Sequence, residues 1–253
     1  MSAHAILIDT TLCMGCKACQ GACASLNALP FSAEIKLSAE YTMPESLSAT
    51  AWNRVSCTAE PGSGSLVMRV EMCNHCNDAA CISACPERAI GKQDGWSVID
   101  IGRCIGCGSC EIACPYNAVH ILNKKIEGMK DHRAYKCHGC IPAGLDRPEC
   151  VSVCPTGALT YGNRLRMLKR GRERVASLKK EFPAAGLTGS LEAGGMQVLT
   201  IHRDMKHSKV SASRHDGFMR MENILYAIAR PFTAGSEKAR RVLQKTVRSM
   251  FDV

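Results

Sequence analysis

Sixteen of the seventeen cysteines in this 253-residue chain fall into four groups of four. They are Cys13, Cys16, Cys19 and Cys23; Cys73, Cys76, Cys81 and Cys85; Cys104, Cys107, Cys110 and Cys114; and Cys137, Cys140, Cys150 and Cys154. Every group closes on the spacing Cys-x-x-x-Cys. Thiols two residues apart let one tight loop present three sulfurs to one face of a metal cluster, and a [4Fe–4S] cube takes four thiolates. Four groups therefore predict four [4Fe–4S] cubes and one-electron chemistry. No Walker loop, dinucleotide-binding glycine motif or nucleophile motif accompanies them. Zinc also binds paired C-x2-C ligands, but a zinc site does not require four tight quartets with C-x3-C-P endings.

In two-cluster ferredoxins the fourth cysteine of each run ligates the other cube, and a proline after it turns the chain away. Pro86, Pro115 and Pro155 supply that proline; Ala24 follows Cys23 instead. This pattern assigns Cys13, Cys16, Cys19 and Cys154 to cluster 1, and Cys137, Cys140, Cys150 and Cys23 to cluster 2. It assigns Cys73, Cys76, Cys81 and Cys114 to cluster 3, and Cys104, Cys107, Cys110 and Cys85 to cluster 4. Gly15, Gly106 and Gly108 permit the sharp bends. The wider gaps, Cys76 to Cys81 and Cys140 to Cys150, predict larger surface loops suited to docking. Cys57 is left over and reads as an ordinary buried or loop thiol. His75 and His138 sit inside C-x-x-C loops as tuning groups rather than ligands. Lys17, Lys125 and Lys136 are candidates for raising cluster potentials, balanced against solvated surface charge.

The elements that position these loops are short. Ala5–Asp9 leads into the first group and Gly157–Tyr161 leads away from the last, both apolar runs bounded by turn residues. They are expected to pair, as are Leu66–Val70 and Ala118–Leu122. The fold class expected is α+β: two interlocked bacterial-type two-[4Fe–4S] ferredoxin modules, one inserted in the other, with a basic, partly helical C-terminal extension. Residues 1–30 and 123–162 form the outer module, 31–65 an insertion with a loop signal at Pro61-Gly62-Ser63-Gly64-Ser65, and 66–122 the inner module. Residues 163–253 form an extension for partner docking. Within it Leu165, Leu168, Val175 and Leu178 recur at helical spacing, Gly194-Gly195 precedes a strand over 196–201, and two helices are expected near 220–229 and 236–250.

Aromatic residues are 5% of the chain, so the clusters are expected to serve as inorganic cores, with the metal-free chain largely unfolded. The formal charge of +9 treats cysteine as neutral. Four cubes of about −2 each bring the holo protein to about +1, which removes the case for a nucleic-acid partner. The charge is uneven: residues 1–159 hold 13 Lys+Arg and 15 Asp+Glu, and residues 160–253 hold 19 and 8. The basic tail suits an acidic partner, a membrane surface or the cluster-rich body. No apolar stretch is long enough to span a membrane, and no export leader is visible at Met1–Ala5. The expected location is cytoplasmic, with membrane association through partners; periplasmic placement by co-export with a twin-arginine-bearing partner is the alternative.

With these residues assembled, the chain resembles the four-cluster iron–sulfur subunits of molybdopterin oxidoreductases, and within them the formate dehydrogenase beta subunit. The resemblance spans roughly residues 5–203. It is carried by Leu7-Ile8-Asp9 before Cys13-Met14-Gly15-Cys16-Lys17-Ala18-Cys19-Gln20, by Cys104-Ile105-Gly106-Cys107-Gly108, by Tyr135-Lys136-Cys137 and by Val153–Gly162. For formate dehydrogenase in particular it rests on Arg174–Lys179 and Gly194-Gly195. It implies a non-catalytic electron-transfer subunit beside a large molybdenum or tungsten pterin subunit. Electrons would pass to or from an acceptor such as a cytochrome, a membrane quinone-reactive subunit or a ferredoxin. The alternatives are another molybdopterin reductase, a hydrogenase, or a free-standing polyferredoxin shuttle. Membrane-bound members of the family carry a C-terminal transmembrane helix, whereas residues 205–253 here are basic and broken by Pro231.

Overall fold

Short strands and shorter helices alternate with the cysteine loops in the computed structural model, which describes residues 4–30, 42–59 and 66–208. Strand β1 (His4–Asp9) enters the first loop and helix α1 (Ala18–Leu26) leaves it. β2 (Asn53–Ala59) and β3 (Leu66–Met72) precede the second loop, which continues into α2 (Ala80–Ser83). The hairpin β4 (Ile90–Gln93) and β5 (Trp96–Ile99) leads to the third loop and α3 (Ser109–Ala113). β6 (His120–Ile121) and β7 (Ala134–Tyr135) lead to the fourth loop and α4 (Glu149–Ser152). Then come β8 (Leu159–Asn163), α5 (Arg164–Leu178), β9 (Gly186–Thr188) and β10 (Val198–His202).

The main sheet has the order β8-β1-β10-β9. β1 runs antiparallel to β8, with Ile6 opposite Tyr161, and parallel to β10, with Ile6 opposite Val198. The expected pairing of the first and last segments is therefore present. β1 is apolar from Ala5 to Ile8 because both of its faces are covered there. Ile6, Ile8 and Val198 face a core that includes Cys19 and Cys150, while Ala5, Leu7, Leu199 and Ile201 face Met167, Leu168 and Leu178 of α5. Helix α5 matches the expected helix. Asn163 caps it by accepting the Leu165 and Arg166 N–H groups at 3.0 and 3.3 Å. Its buried stripe uses Met167, however, and Leu165 is 74% exposed.

Cys-Pro junctions set the lengths of the small helices. The residue before a proline is held out of the α region, so α2, α3 and α4 last only 4, 5 and 4 residues. Where Ala24 replaces the proline, α1 runs on for 9 residues, through Cys23. α1 packs on α4, and α2 packs on α3.

The expected pairing of Leu66–Val70 with Ala118–Leu122 is corrected. β3 pairs along its whole length with β2, Asn53 opposite Met72 and Ala59 opposite Leu66, while β6 pairs with β7. β2 wins because it offers seven residues of ladder, against two in β6. The predicted loop at 61–65 and helices at 220–229 and 236–250 lie outside the described residues. Among the described residues no helix is long and apolar enough to cross a membrane.

Candidate metal centres

The third position of each cysteine loop carries positive φ: Gly15 at 74°, Gly106 at 67° and Gly139 at 67°. In the second loop that position is His75, at 50°, where a non-glycine residue is uncommon. The side chain gained there is fully buried and stacks edge-on against Trp96 at 4.7 Å. His75 Nδ1 accepts the Ser97 N–H at 3.1 Å, which leaves the ring hydrogen of the neutral imidazole on Nε2. Burial, followed by the Lys136 and Lys92 charges, holds this imidazole well below the usual histidine range.

Thiols from distant groups share apolar clusters: Cys13 and Cys154 pack against one core, Cys23 and Cys137 against another, and Cys73, Cys114 and Cys137 belong to a third. Burial pushes Cys13 up, with Cys154 and Cys16 adding to it. Burial likewise drives Cys19 up to about 11, reinforced by Cys13 and Cys16 and, more weakly, by Cys154. Cys23, at about 12, is raised by burial and then by Cys140; Cys150 is raised by burial and then by Cys137, Cys140 and Cys23. Cys76 and Cys81, each at about 12, are raised by burial, then by Cys73, with Cys114 contributing to both. Cys110 is raised by burial and by Cys107, Cys81, Cys104 and Cys85. One small cavity is lined by Cys73, Cys76, Cys81 and Cys114, another by Cys85, Cys104, Cys107 and Cys110.

These environments disfavour bare thiolates, so metal loading must release protons and supply positive charge. Among the described residues no three His, Cys, Asp or Glu side chains close tightly enough to hold one metal ion. Groups of four thiols suit a cube, whose four ligands surround a body of several atoms. The donor set thus fits [4Fe–4S] clusters.

A donor beyond each closing cysteine completes the pattern. Ala89 N–H lies 3.2 Å from Cys85 Sγ, Ala118 N–H 3.3 Å from Cys114 Sγ, and Leu159 N–H 3.5 Å from Cys154 Sγ. At Cys23, where the helix continues, the Asn27 side-chain amide takes this place at 3.7 Å. Such bonds to sulfur tune cluster potentials.

Of the three lysines singled out, Lys125 is exposed and Lys17 half-buried, whereas Lys136 is 3% exposed. Lys136 Nζ donates to the carbonyls of Ser97 and Cys137. Lys92, which carries no motif of its own, ties the β4–β5 hairpin to the second loop by donating to the carbonyls of His75, Cys76 and Gly95. His138 lies half-buried against Trp52. Cys57 is buried within β2; its N–H donates to Thr42 Oγ1 at 3.0 Å.

A family model for the 4Fe-4S dicluster domain matches residues 65–164. The nitrate-inducible formate dehydrogenase iron–sulfur subunit of Escherichia coli K12 is 36% identical over 202 residues, 77% of this chain and 66% of that protein. The formate dehydrogenase iron–sulfur subunit of Haemophilus influenzae is 33% identical over 202 residues, 77% of this chain and 63% of that protein. The thiosulfate reductase electron transfer subunit of Salmonella typhi is 36% identical over 166 residues, 63% of this chain and 75% of that protein. The chain belongs to this family of iron–sulfur electron-transfer subunits. These relatives are named as iron–sulfur or electron transfer subunits. It spans just under two thirds of the length of the two formate dehydrogenase relatives.

Proposed function

We propose that this iron–sulfur subunit holds four [4Fe–4S] clusters in the crossed quartets and relays electrons for a molybdenum or tungsten pterin subunit that oxidises formate. The observation that carries the reading is that thiols from distant groups share apolar cores, Cys13 with Cys154 and Cys23 with Cys137, 141 and 114 residues apart in sequence. The packing of α1 on α4 and of α2 on α3 supports two interlocked modules, the inner inserted within the outer.

The clusters supply the one-electron relay, and the chain's own residues set its order. Cys81 and Cys110 share one apolar cluster, Cys73 and Cys137 a second, and Cys19 and Cys150 a third. These contacts support one line of quartets: cluster 4, cluster 3, cluster 2, cluster 1. Exposed apolar residues flank both ends, Leu12 and Met14 beside Cys13 and Cys16, and Ile105 between Cys104 and Cys107. One end would receive the pterin subunit and the other an acceptor such as a cytochrome, a quinone-reactive membrane subunit or a ferredoxin.

The test is anaerobic co-purification from the native host with a formate-dependent dye-reduction assay. A pterin-containing partner and formate-driven reduction are expected; absence of such a partner overturns the proposal. Thiosulfate-dependent oxidation of reduced dye, with no response to formate, would assign the subunit to a sulfur-oxyanion reductase, the reading favoured by its thiosulfate reductase relative.

A further inference from the structure

Five buried side-chain polar atoms lack a hydrogen-bond partner among the described residues: Asn53 Oδ1, His75 Nε2, Ser97 Oγ, Arg133 Nε and Gln197 Oε1. Only Ser97 among them lines a cavity enclosed by a complete cysteine quartet, that of Cys73, Cys76, Cys81 and Cys114. Ser97 is 1% exposed. A hydroxyl shut away from water without a partner destabilises the fold, and alanine would fill the same place without that cost.

Strand alternation fixes which way this hydroxyl faces. In β5, Trp96 and Val98 join the core that contains Cys19 and Cys150. Ile99, two residues from Ser97 and on its face, joins the core that contains Cys76, Cys81, Cys104 and Cys110. β5 is thus a wall between the outer and inner cysteine groups, and Ser97 faces the inner ones. Its backbone is clamped from both sides: the N–H on His75 Nδ1 at 3.1 Å, and the carbonyl under Lys136 Nζ. The second cysteine loop and the residue before Cys137 therefore both hold this one strand position.

We infer that the Ser97 hydroxyl donates a hydrogen bond to a sulfur of the cluster held by Cys73, Cys76, Cys81 and Cys114, and so raises that cluster's reduction potential. This rests on the proposed quartet. A cluster's sulfurs are acceptors, and they gain negative charge on reduction, so a donor aimed at them favours the reduced form. Ser97 is a positioning and tuning residue and not a ligand.

The test is an EPR-monitored redox titration of the anaerobically purified complex carrying wild-type subunit, S97A, S97T or C81S. S97A is expected to keep its full iron while one midpoint falls, making that cluster about tenfold harder to reduce, or 59 mV for a one-electron couple. S97T, which keeps the hydroxyl, should stay close to wild type, and the shifted signal should be the one that C81S loses. Four unchanged midpoints in fully loaded S97A overturn the inference, as does a shift on a signal that C81S retains. If S97A loads poorly, S97G also lacks the hydroxyl. Loss of that cluster in both but not in S97T supports the bond, and loss in all three overturns it. Full iron in C81S would instead show that the quartet itself is wrong.

Discussion

Burial opposes the charge of Cys19, Cys23, Cys76, Cys81, Cys110, Cys137 and Cys150, so the small donors around the sulfurs carry weight. Asn27 is the clearest case, because it stands where Ala89, Ala118 and Leu159 use backbone N–H groups. N27L should retain iron and lower the potential of the cluster that includes Cys23, by about 59 mV for a tenfold change in a one-electron equilibrium. A redox titration checks this, and an unchanged midpoint contradicts it. His202 gives a prediction remote from the clusters. It is buried, its Nε2 lies 2.9 Å from Thr188 Oγ1, and burial, aided by the Arg69 charge, lowers its pKa to about 4. An unfolded histidine titrates near 6.5. Above that pH neither state binds the proton; below it the unfolded chain binds it first, so stability falls as pH drops toward 4. Between pH 7.5 and 5.5 this removes about 1 kcal/mol, by the 1.36 kcal/mol carried by each pKa unit. In urea unfolding under anaerobic conditions H202Q should lack this component of the pH dependence.

Among the elements, α5 is tied to the entrance of the first cysteine loop. Arg174 Nε meets Asp9 Oδ2 at 2.8 Å and its NH2 group meets Thr11 Oγ1 at 3.0 Å, while Asp9 Oδ1 accepts from Thr11 N–H and hydroxyl. R174A leaves the buried Asp9 carboxylate without its cation and should cost about 2 kcal/mol in unfolding free energy. R174K should recover only part, since a lysine cannot serve both acceptors in the same fork. The elements also mark what the sequence could reveal. β1, β8, α5 and β10 were legible because their apolar periodicity is plain. β2 was not, because Asn53, Arg54 and Ser56 make it read as loop. Those polar groups are buried and bonded, Asn53 to the Cys19 carbonyl, Arg54 and Ser56 to Glu71. Without β2, β3 was given the wrong partner. The four cysteine groups were legible from spacing alone. Ser97 was not, since its role depends on a strand face and on neighbours 22 and 39 residues away.

At the scale of the whole molecule, apolar clusters join successive cysteine groups. Cys19 and Cys150 share one core, Cys73, Cys114 and Cys137 another, and Cys81, Cys104 and Cys110 a third. The same contacts that fold the described residues would hold the proposed quartets in line, which couples wiring to stability. The most direct test of four clusters in one subunit is iron and acid-labile sulfide analysis of anaerobically purified material, with spin integration after full reduction. The account predicts about sixteen irons and sixteen sulfides per chain, four per cube, with C81S and C150S each losing about four. About eight irons in the wild type, or zinc in their place, would contradict it.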